Sequence, residues 1–327
     1  MLTYNLEHCV WETTLRCNLK CRHCGSKAGK ARGKELSFHE AANMFSQLAL
    51  LGCKRVIMSG GEPLLRPDIL KLALEIQKCG MKACLITNGL AVPKNIKLIE
   101  QMNLYSIAIS LDGLRPTHNF LRDNQNSYDC VLQSLQLLHS LFVDLYVITQ
   151  VNKHNLSDLE SLYQLLLGYE LDGWQIQLTN DMGRAEDLKN TMLDKDEIRQ
   201  VLDFILAKQT GSLKIYPADD LGYYYQNSFC FGGCQAGISV IGIEANGMVK
   251  PCLSMQKDTR FDGGNIRERS LLDIWQDPAF ALINRQERHF KGQCASCQHL
   301  KKCRGGCVGT ALAFDALTEY PFCIRAS

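Results

Sequence analysis

Three cysteines, Cys17, Cys21 and Cys24, fall within eight residues in the stretch TLRCNLKCRHCGS. A structural tetrahedral metal site needs four ligands, and so does an ordinary iron–sulfur cubane. A Cys-x3-Cys-x2-Cys loop can wrap one face of a cubane and supply thiolates to three irons, which leaves the fourth iron open to a ligand that is not protein. For the triplet taken alone, zinc with a distant fourth ligand is the alternative. Eight more cysteines come late in the chain: Cys230, Cys234, Cys252, Cys294, Cys297, Cys303, Cys307 and Cys323. Eight thiolates make two complete four-cysteine sites, suited to iron–sulfur clusters or to structural zinc.

The rest of the composition frames that chemistry. The chain has 327 residues, 46% hydrophobic and 21% charged, with a formal net charge of +2 and sixteen cysteines. The charges are interspersed, so neither a nucleic-acid surface nor an acidic tail is indicated. Residues 1–13 (MLTYNLEHCVWET) lack the basic start and apolar core of a signal peptide, and every apolar run stops well short of the ~20 residues that span a bilayer. A cytoplasmic, reducing setting follows as the expectation, and there metal or redox chemistry outranks disulfides. The five scattered thiols Cys9, Cys53, Cys79, Cys84 and Cys130 lie in apolar segments and read as small core hydrophobes.

The elements that must position the cysteines alternate regularly. Strand candidates are Cys9–Thr13, Arg55–Ser59, Lys82–Thr87, Tyr105–Ser110, Leu145–Val151 and Trp174–Leu178. Helix-like stretches separate them: Ser37–Leu51, Asp68–Cys79, Lys94–Met102, Ser127–Leu141, Leu156–Gly168 and Lys195–Gln209. Ser37 and Glu40 form a capping-box signature at the first. Six β/α units imply an α/β fold with a parallel sheet, too few strands for a closed eight-stranded barrel and enough for an open, partial (β/α)6 TIM-like one over residues 1–210. Ligands gather at the C-terminal strand ends of such sheets. Gly60-Gly61-Glu62-Pro63, Thr87-Asn88-Gly89, Ser110-Leu111-Asp112-Gly113 and Gln150–Asn152 all sit at such ends, and the cysteine triplet follows the first strand. After residue 211 the pattern changes to short β-like pieces, Ile238–Ile243 and Met248–Pro251, turned by Asn246-Gly247, then a helix at Leu271–Trp275 and a cysteine-dense tail.

The triplet together with Gly60-Gly61-Glu62-Pro63 on the next strand resembles the radical S-adenosylmethionine superfamily. That resemblance implies a 4Fe–4S cluster on Cys17, Cys21 and Cys24, its open iron chelated by the amino and carboxylate groups of S-adenosylmethionine. Reductive cleavage of the sulfonium would yield a 5′-deoxyadenosyl radical that takes hydrogen from substrate. The resemblance places Gly60, Gly61 and Glu62 at the methionine amino group, where absent side chains allow close backbone approach. Ser110 and Asp112 match residues that bind the ribose hydroxyls, although a plain turn and helix cap would also account for them. Arg122, in HNFLR, matches an arginine that pairs with the cofactor carboxylate, against a surface salt bridge as the alternative. His23 fills a usually aromatic position beside the adenine. Asn88 is a further cofactor candidate, although Thr-Asn-Gly is also simply a good turn.

The late cysteines, spaced Cys230-x3-Cys234-x12-Gly247-x4-Cys252 and Cys294-x2-Cys297-x5-Cys303-x3-Cys307-x15-Cys323, resemble the SPASM extension of radical enzymes over residues 211–327. Two auxiliary 4Fe–4S clusters are implied, a nearer one on Cys230, Cys234, Cys252 and Cys307 and a farther one on Cys294, Cys297, Cys303 and Cys323. The x3 spacing at Cys230 is short for the family; without Cys230 the nearer cluster would have an open iron. HCGSKAG, the following ELS and CQAG at Cys234 look closest to maturases of ribosomally made peptides of the mycofactocin type. The expected function is hydrogen abstraction from a peptide or protein substrate, leading to crosslinking, decarboxylation or epimerisation. A flavodoxin- or ferredoxin-type protein would donate electrons. Because the first strand begins near residue 8, a separate peptide-recognition protein is expected unless the substrate is not leader-guided. Three alternatives stand: a formylglycine-type sulfatase maturase, which would carry Asp where this chain has Leu253; a radical enzyme acting on a small metabolite of a cofactor pathway; and a non-catalytic electron carrier or zinc-stapled binding module. Asp219, Asp220, Tyr223, Tyr224 and Tyr225 are candidates for substrate contact.

Overall fold

The computed structural model describes residues 4–188, 190–218, 221, 233–255, 258–285 and 288–323. Asp219, Asp220, Tyr223, Tyr224, Tyr225 and Cys230 lie outside the described residues. In chain order the main elements are β1 (His8–Thr14), α1 (Phe38–Leu50), β2 (Arg55–Gly60), α2 (Ile69–Lys78), β3 (Lys82–Thr87), α3 (Val92–Gln101), β4 (Ser106–Ser110), α4 (Arg115–Arg122), α5 (Ser127–His139), β5 (Asp144–Val151), α6 (Leu159–Leu166), β6 (Gly173–Leu178), α7 (Lys195–Lys208), β7 (Ile215–Pro217), β8 (Val240–Ile243), β9 (Met248–Lys250), β10 (Gly264–Asn265) and α8 (Leu271–Gln276). Every strand and helix expected from the sequence is present. Helix α4 and strands β7 and β10 are additional. The chain divides into two compact units, one of Met1–Leu19, Ala28–Ile107 and Gln235–Glu287, the other of Lys20–Lys27, Ala108–Cys234 and Arg288–Ser327.

The first unit is built on the strand order β10-β9-β8-β1-β2-β3. Strand β1 lies parallel between β2 and β8, with Cys9 opposite both Val56 and Ile241. The late strands thus extend the sheet begun at the N-terminus. The Asn246-Gly247 hairpin joins β8 and β9 antiparallel, with Gly247 at φ 88°. Ala41, Met44, Phe45 and Leu48 bury one face of α1, as their three- and four-residue spacing requires. Phe45 meets Trp11 of β1 edge-to-face at 5.4 Å. Met44, Phe45 and Leu48 each contribute about 1.5–3 kcal/mol by this burial. The Ser37–Glu40 capping box forms in full.

The second unit orders its strands β4-β5-β6-β7, with β5, β6 and β7 parallel. Leu145, Val147, Thr149 and Val151 of β5 and Trp174, Ile176 and Leu178 of β6 are buried on one face. Trp174 donates through Nε1 to Thr149 Oγ1 at 2.8 Å and packs on Phe204 of α7. The other face carries Tyr146, Ile148, Gln150, Gln175 and Gln177, all half-buried. Alternation with a period of two therefore separates a helix-covered face from a polar, amide-rich one.

Candidate functional site

In the first unit, β1 ends at Thr14 and the chain turns into Cys17, whose N–H donates to Gly29 O at 3.1 Å. Gly60 and Gly61 press against this turn. The Gly61 N–H donates to Thr14 O at 2.7 Å and the Glu62 N–H to Arg16 O at 2.8 Å. A Cβ on Gly61 would overlap the Arg16 carbonyl, and one on Gly60, which stands at φ 117°, would sit 2.9 Å from Glu12 Cγ. The absence of side chains thus lets the second strand end hold the approach to Cys17. Glu62 is fully buried. Its carboxylate accepts from Leu64 N at 3.1 Å, Thr87 Oγ1 at 2.9 Å and Asn88 N at 2.8 Å, so it ties the ends of β2 and β3 together. Asn88 then turns its amide to Asn18 Oδ1 at 2.8 Å and to Cys17 Sγ at 3.7 Å. The Leu19 N–H also donates to Cys17 Sγ, at 3.4 Å. A buried Arg66 anchors the preceding strand through Thr13 O at 2.8 Å and Leu36 O at 2.6 Å.

In the second unit, Asp112 follows β4 and is fully buried. Its Oδ2 lies 2.6 Å from Arg122 Nη2 and 3.0 Å from His23 Nε2, and its Oδ1 accepts from Gln150 N at 2.9 Å. Burial opposes ionisation of Asp112, but the Arg122 guanidinium and the His23 imidazole outweigh it and hold the carboxyl far below the usual range. Arg122 also reaches Cys21 Sγ through Nη1 at 3.8 Å. Burial pushes the Cys21 thiol up, and Arg122 opposes it. Ser110 stands half-buried at the end of β4. The structure thus brings His23, Asp112 and Arg122 into one charged cluster beside Cys21.

Two positioning residues in this unit were not singled out from the sequence. His118 lies one turn before Arg122 on α4, accepts from Asp112 N through Nδ1 at 3.0 Å, and meets Ser127 Oγ through Nε2 at 2.9 Å. The accepting Nδ1 places the proton on Nε2, which therefore donates to Ser127. Arg184 holds the cysteine loop by its backbone: its N donates to Cys24 O at 3.0 Å and its Nε to Cys21 O at 2.7 Å. Gly183 before it is in left-handed conformation, and a Cβ there would overlap the Cys24 and Gly25 carbonyls. The i,i+4 pair His118/Arg122 was a usable sequence signal; Arg184 gave none.

The late cysteines divide between the units. Cys252 follows β9 in the first unit, and its thiol accepts from Ser254 N at 3.4 Å. Cys234, Cys294, Cys297, Cys303, Cys307 and Cys323 belong to the second. Cys294, Cys297 and Cys323 line a cavity of about 1010 Å3 with Glu319 and Tyr320. Burial pushes the Cys303 thiol up to about 11, the backbone N–H groups of Gly306 and Gly305 oppose this, and Cys323 and Cys294 add to it. Three of the four cysteines of the expected farther ligand set therefore line one space. Among the described residues no group of three or more His, Cys, Asp or Glu side chains is arranged to hold a single metal ion. A four-iron cluster spreads its thiolates wider than one ion does.

The family profile of the Radical SAM superfamily matches residues 11–166, and that of the SPASM iron–sulfur cluster-binding domain matches residues 234–298. The chain is a radical S-adenosylmethionine enzyme with a C-terminal SPASM domain. Among its curated relatives, the AdoMet-dependent heme synthase of Methanosarcina barkeri is 26% identical over 96% of this chain and 95% of its own. The mycofactocin maturase MftC of Mycolicibacterium smegmatis is 26% identical over 91% of this chain and 77% of its own. The solved structure of Streptococcus suis SuiB bound to S-adenosylmethionine shares the fold, with a TM-score of 0.78 and 18% identity over 98% of this chain and 77% of that one. As a radical S-adenosylmethionine enzyme the protein binds a 4Fe–4S cluster and S-adenosylmethionine, and its SPASM domain binds auxiliary clusters. The residues present fit these groups. His23 Nδ1 and Arg122 Nε are buried polar atoms with no hydrogen-bond partner, the kind of group a polar cofactor would satisfy. Among the described residues no helix is long and apolar enough to cross a membrane.

Proposed function

We propose that Cys17, Cys21 and Cys24 hold the radical cluster and that Gly60–Glu62, Asn88, Ser110, Asp112, Arg122 and His23 bind S-adenosylmethionine. In this reading the radical domain runs over residues 1–210 and the cluster-binding extension over residues 211–327, with Cys230, Cys234, Cys252 and Cys307 on one auxiliary cluster and Cys294, Cys297, Cys303 and Cys323 on the other. The observation that carries it is the buried His23–Asp112–Arg122 cluster beside Cys21, whose leftover polar atoms suit a ribose diol and a carboxylate. The bound cofactors supply a 5′-deoxyadenosyl radical; the chain orients it and keeps water away. Asp112 would accept from ribose hydroxyls, and Arg122 would give its free N–H to the cofactor carboxylate. Asn88 and Arg122 would steady Cys17 and Cys21 through N–H···S contacts.

The substrate in this reading is a peptide, in a reducing cytoplasm. Relatives named mycofactocin maturase and PqqA peptide cyclase support it, and the half-buried Gln150, Gln175 and Gln177 offer carboxamides of the kind that bind peptide groups. Once hydrogen had been taken from a substrate carbon, completing a two-electron oxidation would require loss of one further electron and one proton, and the bound auxiliary clusters would supply the acceptor for that electron. A second reading, an iron porphyrin substrate, is favoured by relatives named AdoMet-dependent heme synthase and Fe-coproporphyrin III synthase, which align over 96% and 90% of this chain. The sulfatase-maturase reading is weakened by Leu253.

Anaerobically reconstituted protein given dithionite and S-adenosylmethionine should form 5′-deoxyadenosine, and the Cys17→Ala variant should not. A colourless zinc protein that forms none would overturn the enzyme assignment. Fe-coproporphyrin III separates the substrates. Tight binding, read as a Soret shift, with accelerated deoxyadenosine release would replace the peptide by the porphyrin. An unchanged Soret band, with a mass change in a short peptide encoded beside this chain, supports the peptide.

A further inference from the structure

The turn Cys303-Arg304-Gly305-Gly306-Cys307 places three successive residues in left-handed conformation, at φ 49°, 78° and 70°. Glycine takes this conformation freely; arginine does so at a cost. Side chains at the two glycines are excluded in any case, because a Cβ on Gly305 would overlap Phe290 and one on Gly306 would lie 2.6 Å from the Tyr320 ring. Runs of left-handed residues turn successive N–H groups inward as an anion-binding concavity. Here the Gly306 N–H donates to Cys303 O at 3.1 Å, which closes the turn on that cysteine.

The same turn directs Arg304 to the other ligand set. Its Nη2 donates to Cys234 O at 2.8 Å, and Gly233 leaves room for the guanidinium, since a Cβ there would overlap Arg304 Nε. Arg304 Nε is buried without a hydrogen-bond partner. A second guanidinium backs it. Arg288 donates through Nη2 to Arg304 O and through Nη1 to Leu317 O at 3.5 Å, stacked 4.7 Å from the Phe290 ring. Arg288 is half-buried, and the thiols of Cys234, Cys303 and Cys294 are its electrostatic neighbours. Among the described residues neither arginine has a carboxylate partner, and from Arg288 to Phe314 the sequence contains no acidic residue. Two cations withdrawn from water side by side are costly unless an anion sits against them. Thiolate-ligated clusters, negative overall, are the anions that this part of the chain is built to hold.

We propose that Arg304, seconded by Arg288, is a cationic bridge between the two auxiliary cluster sites that raises their reduction potentials. The added electron of a reduced cluster is one more negative charge, and a fixed guanidinium beside it favours that state. The proposal rests on the ligand sets and on the oxidative use of the auxiliary clusters given above. It assigns Arg304 a positioning and electrostatic role; substrate does not touch it.

The test uses anaerobically reconstituted full-length protein in which Cys17, Cys21 and Cys24 are replaced by alanine, so that only auxiliary clusters report. EPR-monitored redox titration, with iron and sulfide counted per chain, is run on this background and on its Arg304→Gln, Arg304→Lys and Arg288→Gln versions. Arg304→Gln should keep its iron and lose about tenfold in the equilibrium constant for reduction of a cluster, a shift of about 59 mV for one electron. Arg304→Lys should restore most of that shift, and Arg288→Gln should move the potential the same way by less. Full iron with unmoved potentials in Arg304→Gln overturns the proposal. If Arg304→Gln sheds iron, Arg288→Gln decides, because it changes no residue of the CRGGC turn and its own iron count is read beside it; an unmoved potential there also overturns it. The oxidative reading fails separately, if product mass shows no net loss of two hydrogens or of carbon dioxide while these potentials still shift.

Discussion

Arg122 Nη2 lies 2.6 Å from Asp112 Oδ2 where Asp112 is fully buried and Arg122 nearly so. A pair of this kind contributes little net stability when intact, yet removing one partner strands the other charge at a cost of about 3–5 kcal/mol. Asp112→Asn should therefore destabilise the apoprotein by roughly that amount in denaturant unfolding, and should weaken S-adenosylmethionine binding to the reconstituted enzyme. Replacing both residues, Asp112→Asn with Arg122→Met, should cost less than the sum of the singles. Additive losses would show that the two side chains do not act as a pair.

Asn88 places a side-chain amide on Cys17, with Nδ2 3.7 Å from the sulfur and 2.8 Å from Asn18 Oδ1. An N–H donor to a cluster thiolate favours the more reduced, more negative state. Asn88→Leu should keep three-cysteine cluster loading, read as iron per chain, while moving the radical cluster's potential negative and slowing deoxyadenosine formation with a weak reductant. The rate with excess strong reductant should recover in part. Equal slowing with both reductants would point to lost cofactor geometry instead.

Gly61 shows how much of the site was legible in the sequence. Its place in Gly60-Gly61-Glu62-Pro63 marked a close backbone approach, and the approach found is to the Arg16 carbonyl at the entry to the cysteine loop. Gly61→Ala should accordingly destabilise by more than about 2 kcal/mol, as overlap with fixed backbone does, and should lower iron retention measured after desalting. The strands and their helices were readable because apolar side chains repeat at two and at three to four residues. Helix α4 was not, because its buried face is His118, Asn119, Leu121 and Arg122, and a mostly polar face leaves no hydrophobic period. Arg184 grips Cys21 and Cys24 through backbone carbonyls, which impose no residue type at the cysteine end. The pairing of β8 on β1 was equally silent, since strand partners far apart in sequence leave no local pattern. Arg304 sat in plain view between two ligands, but only the fold shows it turned left-handed toward Cys234.

His118 gives the apoprotein a defined acid sensitivity. Burial, reinforced by the nearby Arg122 charge, pushes its pKa from 6.5 down to about 3, and the donated bond from Asp112 N holds the ring neutral. In the unfolded chain the imidazole takes up a proton near pH 6.5, so the unfolded state binds more protons throughout the interval between these values. The contribution is fully present above pH 6.5 and is lost as the pH falls toward about 3, at up to about 1.4 kcal/mol per pH unit. Denaturant midpoints of the apoprotein should fall steadily from about pH 6.5 to about pH 4. Below that, carboxylates such as Asp112, whose folded-state affinity for protons is also depressed, add to the loss. In His118→Gln the starting stability should be lower, because the bonds to Asp112 and Ser127 are no longer both kept, but the slope between about pH 6.5 and pH 4 should flatten. A slope identical to that of the parent protein would assign the acid sensitivity to other groups.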